Sequence, residues 1–93
     1  MMIRYDWNNE KNRLLKETRG VSFEHVVVLI EEGKLLDIIE HPNREQYGHQ
    51  KILIVNIDGY AYAVPYVVRG NIRFLKTIIP SRKYTKKYLG GRS

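Results

Sequence analysis

The sequence predicts an α+β fold in which two N-terminal helices pack on an antiparallel sheet of three or four strands, followed by a short basic C-terminal helix. An apolar stripe at helical spacing occupies residues 23–30, and β-type segments follow in the middle of the chain. The dipeptide Asp58-Gly59 between two such segments is typical of a tight hairpin. Because 93 residues accommodate one domain, we assign a single domain to 1–89 and expect a disordered tail at 90–93.

The two N-terminal helices follow from capping residues and helical periodicity. Asn8 or Asn9 caps the first helix through about Thr18, because the asparagine side chain accepts a hydrogen bond from a free amide of the first turn. Ser22 caps the second helix, and Gly33 ends it. The apolar stripe of the second helix, spaced i, i+3, i+4 and i+7, comprises Phe23, Val26, Val27 and Ile30.

Strand signals account for most of the remaining chain. We expect strands at Leu35–Glu40, Lys51–Asp58, Tyr60–Val68 and Ile72–Ile79, and Met2–Asp6 is a candidate for a short first strand. Residues 41–50 read as a polar loop. Pro65 cannot donate a hydrogen bond to a ladder, so we expect it at a bulge or on an unpaired edge.

The final helix is predicted to begin after Ser81, which can cap it, and to run through Leu89. Tyr84 and Tyr88 lie four residues apart on one face of this helix, which favours docking onto the sheet over base stacking. The basic residues of this helix, Arg82, Lys83, Lys86 and Lys87, lie off the face that carries the two tyrosines.

Positive charge is concentrated at the C-terminal end of the chain. Residues 1–58 carry eight Lys or Arg against ten Asp or Glu, whereas residues 59–93 carry eight Lys or Arg and no carboxylate. A region of one sign attracts polyanions, so we expect nucleic acid or an acidic partner; a solvated tail is the alternative. The cations are Arg69, Arg73, Lys76, Arg82, Lys83, Lys86, Lys87 and Arg92.

Several classes of protein and site are not indicated by the sequence. There is no cysteine for a disulfide or thiolate metal site. The longest apolar run, Val26–Ile30, is far too short to span a membrane, and no secretory signal is visible. We therefore expect a cytoplasmic protein that has no membrane association, cofactor or metal.

Residue types in the basic region are compatible with RNA cleavage that needs no metal. The 2′-hydroxyl of RNA lies beside the scissile phosphate, and cations can stabilise the charge that develops on the phosphate oxygens. Arg69, Arg73, Lys76 and Arg82 suit this role if the last hairpin and the start of the final helix face one groove. His49, in the polar loop, is the histidine that we consider as an acid or base.

Three stretches of the chain resemble the BrnT family of type II toxin–antitoxin toxins, which belongs to the RelE-like ribonuclease group. They are Tyr5-Asp6-Trp7-Asn8-Asn9-Glu10-Lys11-Asn12, Arg19-Gly20-Val21-Ser22-Phe23-Glu24 and Ile78-Ile79-Pro80-Ser81-Arg82-Lys83. The resemblance implies a ribonuclease that arrests translation, an α+β fold and a ribbon-helix-helix antitoxin as partner. It also implies a site role for Arg82. The family usually has Lys-His where this chain has Thr18-Arg19, and Ser-Ala at the positions of Pro80 and Ser81.

The combined hypothesis is a metal-independent endoribonuclease toxin that binds RNA and an antitoxin with an acidic segment, as a homodimer or a toxin–antitoxin hetero-oligomer. The candidate catalytic residues are Arg82, Arg69, Arg19 and His49. The candidate nucleic-acid-binding residues are Arg73, Lys76, Lys83, Lys86, Lys87 and Tyr47. Two alternatives remain, a non-catalytic nucleic-acid-binding module and a module whose basic face binds an acidic protein.

Overall fold

The α+β class is confirmed by a computed structural model, which describes residues 3–90. In chain order, the described elements are β1 (Arg4–Trp7), α1 (Asn9–Arg19), α2 (Phe23–Glu31), β2 (Leu35–Glu40), α3 (Arg44–Tyr47), β3 (Lys51–Ile57), β4 (Tyr60–Arg69), β5 (Ile72–Leu75), β6 (Ile79–Pro80) and α4 (Arg82–Leu89). Beyond Gly90, the expected tail lies outside the described residues.

The sheet is larger than the sequence predicted and is mixed. Its strand order is β1-β5-β4-β3-β2, and β6 also pairs with β4. β1 lies parallel to β5, whereas the other pairs are antiparallel. The prediction of three or four antiparallel strands was therefore wrong in number and direction, because the pairing of β1 with β5 joins distant parts of the chain. The polar loop at 41–50 also contains the short helix α3.

Local signals place the helices and the central hairpin as expected. The Asn8 side chain accepts a hydrogen bond from the Lys11 amide at 2.9 Å, and Ser22 caps α2 in the same way. Asp58 and Gly59 both have positive φ, 54° and 84°, which matches a type I′ turn between β3 and β4.

Pro65 lies in the middle of β4, opposite the break between β5 and β6. β5 pairs with residues 66–69 of β4, and β6 pairs with residues 62–63. The Pro65 carbonyl accepts a hydrogen bond from the Lys76 amide at 2.8 Å, so the Pro65 nitrogen faces this broken side. The prediction of a bulge or an unpaired edge at Pro65 was wrong, because β4 is a central strand and its register with β3 is regular at this residue. The break between β5 and β6 leaves the Pro65 nitrogen without a ladder partner, so its missing amide proton costs no hydrogen bond.

Helices cover both faces of the sheet. We call one side the α1/α2 face; its buried core includes Phe23, Val26, Leu53, Val55, Val64 and Leu75. We call the other side the α4 face, where Ile52, Ile54, Ala61 and Ala63 pack against Tyr84, Tyr88 and Leu89. The predicted docking of the final helix through its two tyrosines is confirmed.

A buried asparagine joins the two helices of the α1/α2 face. Asn12 is only 4% exposed. Its Nδ2 donates to Glu24 Oε1 at 2.9 Å, and its Oδ1 accepts from the Phe23 amide at 2.8 Å. The bond from the Phe23 amide satisfies a free donor at the start of α2. The bond from Asn12 Nδ2 to Glu24 is the main reason that the pKa of Glu24 is lowered.

The two outermost strands share a local arrangement at their edges. In β1, Asp6 Oδ1 accepts from the Trp7 amide at 2.8 Å. In β2, Asp37 Oδ1 accepts from the Ile38 amide at 2.8 Å. Each aspartate therefore satisfies the amide of the residue that follows it.

Candidate nucleic-acid interface

The β4–β5 hairpin presents cations on both faces of the sheet. Side chains alternate along a strand, and directly paired residues share a face. Arg69 pairs with Ile72, and Val68 pairs with Arg73. Arg69 therefore lies on the α4 face, whereas Arg73 lies on the α1/α2 face.

Arg69 and Lys76 flank one aromatic ring on the α4 face. The Arg69 Cζ lies 5.2 Å from the centroid of the Phe74 ring, and the Lys76 Nζ lies 5.4 Å from it. Both cationic side chains are exposed, and Phe74 is half-buried and belongs to neither hydrophobic core. We call these three residues the Phe74 cluster.

Helix α4 leaves the Phe74 end of its face uncovered. The helix begins beside β4, where the Ser81 amide donates to the Ala61 carbonyl at 2.9 Å and Thr85 Oγ1 accepts from the Ala61 amide at 2.8 Å. It then crosses toward β2, where the Tyr88 hydroxyl donates to Asp37 Oδ2 at 2.5 Å. This path covers the first half of β4, so no described helix lies over the Phe74 cluster.

The positive charge of the C-terminal region is not neutralised by ion pairs within the described residues. In 3–90, the salt bridges are Arg13–Glu10 and Lys16–Glu24, both in the first half of the chain. Of the seven cations between 59 and 90, five lie over aromatic rings; they are Arg69, Arg73, Lys76, Lys83 and Lys87. Their charge therefore remains available to a ligand.

One carboxylate adjoins the Phe74 cluster. Asp6 pairs with Phe74 across the parallel β1–β5 ladder and so lies on the same face. Its Oδ1 is engaged by the Trp7 amide. Arg4, two residues away, pairs with Ile72 and shares this face, which offsets the negative charge.

Arg73 has a different environment from Arg69. Its Nη1 donates to the Tyr5 hydroxyl at 3.2 Å, and its Cζ lies 5.2 Å from the centroid of the Tyr66 ring. Burial raises the pKa of Tyr66, and the positive charge of Arg73 opposes that rise. A hollow of about 200 Å³ adjoins Arg73 and is lined in part by Ile3 and Val68, which is 61% exposed.

The four candidate catalytic residues do not come together at one place. Pro80, which precedes Arg82 by two residues, pairs with Tyr62, seven residues from Arg69 along β4. At about 3.3 Å per residue, this separates the two ends by roughly 23 Å. Arg19 is near the Arg82 end, because its Nη1 donates to the Ile78 carbonyl at 2.6 Å.

The remaining predicted site residues belong to the other end or to α4. His49 lies between α3 and β3, at the end of the sheet where β4 finishes with Arg69. Tyr47 packs against His41, with ring centroids 4.6 Å apart. Arg82, Lys83, Lys86 and Lys87 are exposed along α4 on the α4 face.

Sequence reasoning missed Phe74, although a signal for it was present. In an extended strand, residues two apart share a face, so the alternation along residues 72–76 separates Phe74 and Lys76 from Arg73, although Arg73 and Lys76 were predicted to face one groove. Tyr5 was missed as the partner of Arg73 because β1 and β5 are distant in the chain.

Comparison with protein-family models, with curated proteins and with solved structures finds no match to this chain. Within the described residues, no group of His, Asp and Glu side chains is arranged to hold a metal ion. Among the described helices, none is long and apolar enough to cross a bilayer.

Proposed function

We propose that this chain is a cytoplasmic RNA-binding protein that acts as the toxin of a type II toxin–antitoxin pair by cleaving RNA without a metal. The observation that carries the proposal is the uncompensated charge after Asp58, where five cations lie over aromatic rings and none forms an ion pair with a described carboxylate. The BrnT resemblance of the sequence supports the choice of toxin.

Cations beside aromatic rings suit RNA better than they suit a generic anion. Lysine and arginine neutralise phosphates and release counterions, while aromatic rings offer flat surfaces to bases. The α4 face supplies both at the Phe74 cluster and continues toward Arg82 and Lys83 at the start of α4. We therefore assign RNA to this face.

The chemistry is best assigned to the Arg69 end of the sheet. Arg69 and Lys76 supply positive charge for the phosphate oxygens, and His49 at the same end is the candidate proton carrier. Arg82 and Lys83 then hold phosphates farther along the strand. Arg19 is assigned a positioning role, because it holds the Ile78 carbonyl that leads into β6 and α4.

Cleavage is tested with purified protein and end-labelled RNA in excess chelator, together with expression in cells that lack the adjacent gene. We expect cleavage and growth arrest from the wild-type chain, loss of both for Arg69→Gln, and reduced cleavage for His49→Ala. Lys34→Gln, at an exposed lysine before β2, is the matched control and should behave as wild type. Intact RNA and normal growth with the wild-type chain would contradict the proposal.

A non-catalytic RNA-binding module is the second candidate. The separation of Arg69 from Arg82 and Arg19 favours it, because the expected catalytic set is divided between two ends of the sheet. This candidate predicts RNA binding whose logarithmic affinity falls linearly with logarithmic salt concentration, with no cleavage products.

We assign the acidic protein partner to the α1/α2 face, around Arg73. The hollow there combines an arginine that has no carboxylate partner within the described residues with the exposed apolar side chains of Ile3 and Val68. An antitoxin segment with apolar and acidic residues would match it. Co-expression with the adjacent gene tests this, since Arg73→Glu and Val68→Asp should each prevent co-purification, whereas Lys86→Glu on α4 should not.

A further inference from the structure

We infer that Phe74 is the stacking surface for one unpaired base, with the neighbouring phosphates held by Arg69 and Lys76, so that the protein selects single-stranded over duplex RNA. This inference rests on the proposed RNA binding and specifies its substrate class. It assigns a role to Phe74, which lies in neither hydrophobic core.

The geometry of the cluster leaves the ring available to a base. The two cations lie 5.2 and 5.4 Å from the ring centroid, within the range of a cation–π contact, and neither forms an ion pair with a described carboxylate that would hold it there. Both are exposed, long and flexible side chains, so they can turn toward phosphates. Since α4 departs toward β2, no described helix blocks the approach.

Stacking and phosphate contacts together favour the base over the cations as the partner of Phe74. An exposed cation–π contact strengthens an interaction by about two- to five-fold. Stacking of a base on an aromatic ring strengthens binding by about five- to a hundred-fold. The two contacts together amount to about four- to twenty-five-fold, which is comparable to the stacking term. The net gain on binding therefore comes from stacking together with the phosphate contacts that Arg69 and Lys76 form when they leave the ring.

Duplex RNA does not fit this surface equally well. The bases of a duplex are stacked on both faces, so none can lie flat on Phe74 unless the helix opens. A single strand can also follow the α4 face from the cluster toward Arg82. Pro80 and Phe74 pair with β4 residues five apart, Tyr62 and Val67, which corresponds to about 16 Å.

The test measures binding of a fluorescent ten-nucleotide single strand and of the matching duplex, in chelator, at fixed ionic strength. We expect the wild-type chain to prefer the single strand. Phe74→Ala and Phe74→Leu should each lower single-strand affinity by about ten-fold and leave duplex affinity unchanged, because leucine restores apolar volume without a π-face. Phe74→Trp should retain the preference.

Tyr60→Ala provides the matched aromatic control. Tyr60 is an exposed aromatic residue of the same sheet at the opposite end of β4, and we expect its loss to leave both affinities unchanged. Circular dichroism and thermal unfolding verify that each variant is folded.

The possible failures separate the two proposals. If the wild-type chain binds neither RNA in a salt-dependent manner, the proposed function fails. If it binds RNA but duplex and single strand bind equally well, or if Phe74→Leu retains full single-strand affinity, the RNA-binding proposal stands and the role of Phe74 is overturned.

Discussion

Cations on the two faces of the β4–β5 hairpin differ in burial and in the groups that they contact. Arg73 is half-buried, bonded to the Tyr5 hydroxyl and in contact with the Tyr66 ring. Arg69 and Lys76, on the other face, are exposed beside Phe74. The difference shows that net charge alone does not identify a binding residue, because alternate residues of one strand have different surroundings.

The largest effect is expected from the exposed pair. The double substitution Arg69→Gln/Lys76→Gln should weaken RNA binding by about ten-fold near physiological salt and reduce the salt slope by about 1.4, since each phosphate contact on a single strand contributes about 0.7. Anisotropy titrations at four salt concentrations measure both quantities. An unchanged slope would show that these two residues do not contact phosphates, and Lys34→Gln is the single-site control.

Arg73, in contrast to Arg69, should contribute to the stability of the fold. Arg73→Met removes a hydrogen bond and contacts with two tyrosine rings, and should lower the free energy of unfolding by about 1–2 kcal/mol. Arg69→Met, at an exposed site, should change it by less than about 0.5 kcal/mol. Urea unfolding measures the free energy of unfolding of both variants. Equal decreases for Arg73→Met and Arg69→Met would show that Arg73 is no more important to the fold than Arg69.

The hydrogen bond between Tyr88 and Asp37, which ties the end of α4 to β2, should contribute a pH-dependent stabilisation. The bond to Asp37 raises the pKa of Tyr88 from 10.0 to about 12, and the same bond is the main cause of the lowered pKa of Asp37, whose ordinary value is 3.8. The stabilisation is therefore present between about pH 4 and pH 10. It is lost as Tyr88 ionises between pH 10 and about 12, and as Asp37 is protonated below its ordinary range.

Tyr88→Phe isolates this contribution. The wild-type chain should be slightly more stable than the variant at pH 7, and the unfolding free energies of the two should converge as the pH rises toward 12 and as it falls through the lowered pKa of Asp37. A difference that is independent of pH would mean that the tyrosine contributes packing alone.

The smallest effect concerns the carboxylate beside the Phe74 cluster. Asp6→Asn removes a negative charge near the proposed phosphate positions but retains an oxygen that can accept from the Trp7 amide. We expect RNA affinity to rise by about two-fold, within the range of exposed charge interactions, with stability unchanged. Lower affinity in this variant would place the phosphates elsewhere.

Local chemistry made much of the fold predictable. The caps at Asn8 and Ser22 and the Asp58-Gly59 turn depend on residues within a few positions of each other, and the spacing of Tyr84 and Tyr88 marks the face of α4 that docks. The position of β1 was not predictable in this way. Its four residues carry no signal for a parallel pairing with a strand that lies more than sixty residues later.

The candidate site was predictable in composition but not in arrangement. The basic character of the region was evident, yet Arg69 and Arg82 were grouped although a ten-residue strand separates their ends of the sheet. That separation depends on the pairing of β6 with the first half of β4, which the sequence did not indicate. Assigning Phe74 required knowledge of which part of the sheet α4 leaves uncovered, and that depends on the distant contact between Tyr88 and Asp37.

The aspartates at the two outermost strands limit how this sheet can grow. Because Asp6 and Asp37 already occupy the amides of Trp7 and Ile38, a further strand that approached either side would find a donor missing and a negative charge in its place. In β1 and in β2, one amide is therefore unavailable to an added strand, which disfavours edge-to-edge pairing of copies at these two strands. We therefore expect a stable partner to bind at a face of the sheet, where side chains and not backbone ladders determine recognition.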